Sequence, residues 1–133
     1  MAEGYTIYRA PGTGGVGTFR EPQDCPRMDA RRAVKLLREA GFDLEPGEDT
    51  GEWQLEDVAV LVYLTPDEDD DSRMVEIEFA LHALEPSAAE LLQVMSTLRG
   101  IADALDATLC QENLQPVDDA EIADLLRAYA ARP

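Results

Sequence analysis

The chain has 133 residues, of which 45% are apolar and 29% charged, enough to build one domain around its own core. Twenty-eight acids against eleven bases leave a net charge of −17. That composition excludes a wholly disordered chain, offers no apolar run long enough for a membrane span, and repels phosphate backbones and anionic lipid.

The charge is polarised along the chain. Residues 1–42 hold seven bases and five acids, a net of +2, whereas residues 43–133 hold four bases and 23 acids, a net of −19. From Asp43 to Asp71 there are twelve acids and no base. An acidic surface of this kind keeps a protein dispersed, and it also steers basic proteins toward it. Ten Arg against one Lys point to a GC-rich bacterial coding sequence. Met1-Ala2-Glu3-Gly4-Tyr5 has neither the basic nor the apolar stretch of a secretory signal, so a cytoplasmic location is expected. Cys25 and Cys110 stand far apart with no C-x-x-C spacing and are expected as reduced thiols.

In chain order, Tyr5–Tyr8 alternates as a short strand would. A glycine-rich loop from Pro11 to Gly17 follows, and Pro22 and Pro26 keep the next stretch out of regular structure, so residues 1–28 are expected to be a partly irregular N-terminal segment. A helix then starts at Asp29, whose side chain can cap free amides; Ala30, Ala33, Val34, Leu37 and Ala40 share one face, and Gly41 ends it. Residues 43–52 read as an acidic loop. Val58, Val60, Val62 and Leu64 form one face of a strand, with Ala59, Leu61 and Tyr63 on the other, a pattern expected of a strand that lies inside a sheet or is covered on each side. After the charged turn of residues 65–72, Val75, Ile77, Phe79, Leu81 and Ala83 alternate with Glu76, Glu78, Ala80 and His82, giving one core face and one wet face.

Ser87 and Glu90 form a capping box ahead of a helix whose stripe is Leu91, Val94, Met95, Leu98, Ile101, Ala102 and Leu105. A short strand at 107–110 and a turn with Asn113 and Pro116 follow. Asp118 and Glu121 then cap a closing helix bearing Ile122, Leu125, Leu126 and Tyr129. The order β-α-β-β-α-β-α predicts a single α+β domain over residues 1–133. Its expected architecture is a ferredoxin-like split β-α-β sandwich, with an antiparallel sheet covered by helices and an extra C-terminal helix.

Three motifs invite chemistry. Gly12-Thr13-Gly14-Gly15-Val16-Gly17 spells G-x-G-x-x-G, but the next helix starts only near Asp29, so no helix N-terminus is in place to hold a pyrophosphate. Asp67, Asp69, Asp71 and Glu78 match calcium-loop spacing, yet Ser72 stands where the loop needs glycine and the flanks read as strands. His82 is the only histidine, and no nucleophile is tied to it. The expectation is a protein that is not an enzyme and carries no cofactor and no metal. It should bind a basic protein partner, but neither nucleic acid nor membrane. The candidate contacts are Glu48, Asp49 and Glu52, followed by Asp67, Glu68, Asp69, Asp70 and Asp71. A stoichiometric inhibitor, such as the immunity protein of a bacterial toxin, fits that profile.

Leu98-Arg99-Gly100-Ile101-Ala102-Asp103-Ala104-Leu105, then Ala107-Thr108-Leu109-Cys110-Gln111-Glu112-Asn113-Leu114-Gln115-Pro116, sit within a helix-strand-turn-helix run over residues 91–131. That run resembles the end of the ZipA C-terminal domain, a cytoplasmic module that binds the tail of the division protein FtsZ. The resemblance implies an alternative function, an adaptor that receives a peptide on its sheet.

Overall fold

The computed structural model describes residues 2–9, 25–45, 47–56, 58–83, 88–111, 117, 122–124 and 127. In chain order these form β1 (Ala2–Tyr8), β2 (Met28–Asp29), α1 (Ala30–Ala40), β3 (Thr50–Gln54), β4 (Val58–Pro66), β5 (Arg73–Ala83), α2 (Ala88–Ala104) and β6 (Thr108–Gln111). Residues 122–124 and 127 are helical where the closing helix is expected. The glycine-rich run, Ser87, the Asn113–Pro116 turn, Asp118, Glu121, Leu125, Leu126 and Tyr129 lie outside the described residues.

The expected mixed α+β class with an antiparallel sheet is what the chain adopts. The order across the sheet is β3-β4-β5-β1-β6, which is not the expected ferredoxin-like order. The correction comes from β3, which begins within the stretch read as an acidic loop and runs two residues past it. Thr50-Gly51-Glu52-Trp53-Gln54 holds one large apolar side chain, so no period-two signal marks it. Its strand character comes from pairing with β4, Trp53 lying opposite Val60.

The first strand is split. Ile7 lies opposite Ile77, and Met28 lies opposite Met74 on that same edge of β5, because Pro66 of β4 already occupies the other edge at Met74. β2 meets β5 three residues beyond the last pair of β1. From there Asp29 starts α1: the Arg32 backbone N–H donates to its side chain at 3.2 Å. Gly41 closes the helix at φ 117°, its N–H reaching the Arg38 and Leu37 carbonyls. Replacing Asp29 with Ala is expected to cost about 1 kcal/mol, read as a lower urea midpoint with an unchanged slope.

Helices α1 and α2 pack on one face of the sheet and touch each other. α1 buries Ala30, Ala33 and Leu37, and every residue of the expected α2 stripe is buried. Against them the sheet turns Tyr5 and Ile7, Val58 through Leu64 at alternate positions, and Ile77, Phe79 and Leu81. Trp53 brings the edge strand into this core. Its ring stands 5.5 Å from that of Phe42, and its indole packs so closely on Gly41 that a Cβ there would meet Nε1 at 3.0 Å.

Candidate functional site

The predicted acidic residues fall on two loops that the fold brings together. The Leu64 N–H donates to the Asp49 carbonyl at 2.7 Å, so the stretch holding Glu48 and Asp49 runs beside the end of β4, from which the 67–72 turn departs. Glu48, Asp49, Glu68, Asp69 and Asp71 are exposed. Glu52 is exposed on β3 opposite Leu61, and its carbonyl accepts from the Asp43 N–H at 2.8 Å.

Two of the eight residues have structural work inside the turn. Asp67 accepts from Arg27 Nε at 2.7 Å, with the two side chains only 18% and 22% exposed, and from the Asp69 N–H at 2.8 Å. These bonds, Arg27's first, hold its carboxyl below the usual carboxylate range. Asp70 accepts from the Ser72 hydroxyl at 2.5 Å and from the Ser72 N–H at 3.0 Å, and its carboxyl is likewise lowered. Arg73 adds a contact at 3.6 Å. The run is therefore a folded turn with three acids presented outward, and β-strands flank it on both sides. Among the described residues, no group of three or more His, Cys, Asp or Glu side chains stands together to hold a metal ion.

The second acidic region is the sheet face opposite the helices. Register sets its rows. Thr50, Tyr63, Glu78, Thr6 and Cys110 lie side by side across five strands, with Glu52, Leu61, Ala80 and Gly4 in the next row. Of the two arrangements expected for β4, the strand lies inside the sheet, between β3 and β5, and its second face is not covered: Tyr63 is 42% exposed and Leu61 half-buried. The apolar pattern of residues 58–64 alone does not distinguish a covered face from one made of an open tyrosine and small neighbours.

Toward β6 the same face closes. Tyr8, Cys25 and Cys110 form a buried cluster, with neither cysteine in a disulfide. Burial first, then the neighbouring thiols, pushes the Tyr8 phenol up to about 12, and burial pushes the Cys110 thiol up to about 11. A thiol held this way is a poor nucleophile. Beside them, Glu76 is half-buried on the wet face of β5. Burial, then the charge of Glu78 and a hydrogen bond to it, raises the Glu76 carboxyl to about 7. The sequence shows the Glu76–Glu78 pair, but not the wall that half-buries one member. His82 is exposed, opposite Ala59 on one side and Ala2 on the other.

Two shallow hollows flank Tyr63. One of about 180 Å³ is lined by Gly4, Tyr5, Thr6, Tyr63, Glu78, Phe79 and Ala80. The other, of about 380 Å³, is lined by Asp43, Thr50, Gly51, Glu52, Leu61, Val62 and Tyr63. Among the described residues no helix is long and apolar enough to cross a membrane. No protein-family model matches the chain, and no curated protein matches it.

Proposed function

We propose that this chain is a non-catalytic acidic binding protein, acting in the cytoplasm as a stoichiometric, immunity-type inhibitor of a basic partner such as a bacterial toxin. The observation that supports this reading is the meeting of two acidic loops at one end of the sheet, next to an open face rimmed by Glu52 and Glu78. Acids outside the buried contact act mainly on encounter, while side chains within it set the lifetime of the complex.

Once a partner is captured from the host at low salt, association kinetics test the reading. Glu68→Gln, Asp69→Asn and Asp71→Asn together are expected to slow association about tenfold at low ionic strength, with the gap closing at high salt. The melting temperature should hold, because these three side chains are exposed. Adding Asp67→Asn should lower it, since that change weakens the Arg27 pair. Capture that is indifferent to salt, with unchanged association for the triple variant, would sink the electrostatic reading.

The open face around Tyr63 and Leu61 favours a second reading, an adaptor that receives a peptide on the sheet, as the ZipA resemblance implies. Apolar contacts would then dominate, and affinity would barely change with salt.

A further inference from the structure

The smaller hollow is floored by the two smallest residues of its rows. Gly4 and Ala80 are register partners on β1 and β5, so the sheet offers a floor of backbone and one methyl group where its neighbours carry longer side chains. In the adjacent row Tyr63 lies opposite Glu78, and Glu78 lies opposite Thr6. Directly opposed residues of antiparallel strands have Cβ atoms about 5 Å apart. One small group seated on the floor can therefore touch the Tyr63 ring and the Glu78 carboxylate together.

The makeup of the walls selects that group. A phenol ring presents a negative face, which attracts cations and favours a flat guanidinium over a compact ammonium. The carboxylate accepts two parallel N–H bonds from the same guanidinium. An anion would meet Glu78 with Glu76 behind it, and a purely apolar group would strip water from Glu78 without replacing its hydrogen bonds. At about 180 Å³ the hollow suits a side-chain head and the end of its stem, below the size of an ordinary small-ligand pocket. A chain with net charge −17 supplies the long-range attraction.

We propose that the trough over Gly4 and Ala80 receives an arginine side chain of a basic partner protein, its guanidinium stacked on Tyr63 and paired with Glu78. This assignment rests on the basic-partner reading and adds the point at which the partner is gripped. The acidic loops steer the encounter, and the trough holds the anchor. The larger hollow on the far side of Tyr63, rimmed by Asp43 and Glu52, leaves space for a second basic side chain of the same segment.

The test uses the full chain, labelled for amide NMR and titrated with N-acetyl-arginine amide. The expected result is saturable shifts of the Gly4, Tyr63, Glu78 and Ala80 amides, with no such response to the uncharged N-acetyl-citrulline amide. Tyr63→Ala should weaken this binding about fivefold, the loss of one exposed cation–ring contact. Glu78→Gln should weaken it about tenfold, the loss of a charge-assisted pair. Both side chains are exposed, and unchanged spectra away from the trough will report that each variant is folded. A deca-arginine peptide at low salt is the second probe. If it binds while blocked arginine shifts only loop amides at 67–71, the trough assignment fails and the basic-partner reading stands. If deca-arginine does not bind at all, both fall.

Discussion

Truncating Trp53 to alanine is expected to remove about 3–5 kcal/mol of stability, the range for deleting a large buried ring. Trp53 is 8% exposed, meets Phe42 at 5.5 Å and covers Gly41, and through Phe42, 5.8 Å from Phe79, it joins the edge strand to the middle of the sheet. Set against the 5–15 kcal/mol that holds an ordinary domain together, this loss is a large share. Urea denaturation followed by tryptophan-independent far-UV signal measures it. A midpoint within error of the parent would mean that β3 is an ornament on the sheet rather than part of its core.

The same residue shows where sequence reading succeeds and where it stops. α1, β4, β5 and α2 were legible because each repeats apolar side chains at its own period, and burial follows that pattern along α2 without exception. β3 carries a single such residue, and β2 is only two residues long, so neither produces a period. The strand order followed from the same gap, since β3 adds beyond β4 an edge strand that carries no periodic signal. Among the site residues, the sequence marked the acids but not their duties. Asp67 is committed to Arg27, forty residues earlier in the chain, a pairing that no local spacing reveals. Tyr63 was visible as an aromatic on β4, whereas its exposure depends on which sheet face the two helices choose.

Glu76 gives the second large effect, and it runs opposite to ordinary acid denaturation. Burial, then Glu78, raises its carboxyl from 4.5 to about 7, so the folded chain binds this proton more tightly than the unfolded chain does. The resulting stability is fully present below about pH 4.5, is lost as pH rises from there toward 7, and is absent above. The gap between 4.5 and about 7 sets an upper bound of about 3 kcal/mol at pH 8, reduced by the solvent that reaches this half-buried carboxyl. Tyr8 from β1 and Thr65 from β4 flank Glu76, Thr6 and Tyr63 flank Glu78, and none of the four is a cation. Replacing Glu76 with Gln should flatten stability between pH 5 and 8 and leave the variant more stable than the parent at pH 8. Urea midpoints across that interval decide the matter. A parent whose midpoint does not fall relative to the variant would show that Glu76 ionises freely in the folded chain.

The split first strand has a consequence for how this chain can change over generations. β1 and β2 are hydrogen-bonded to β5 independently, and their anchor points, Ile77 and Met74, are three residues apart. At about 3.3 Å per residue, the segment between them starts and finishes within roughly 10 Å along one edge. Lengthening such a closed segment carries a slowly growing entropic penalty, about 0.6 kcal/mol for each doubling. β1 and β2 each keep their own register on β5, Ile7 opposite Ile77 and Met28 opposite Met74. The two anchors are fixed by their own pairs, so this edge of the sheet holds its alignment whatever length of chain joins them.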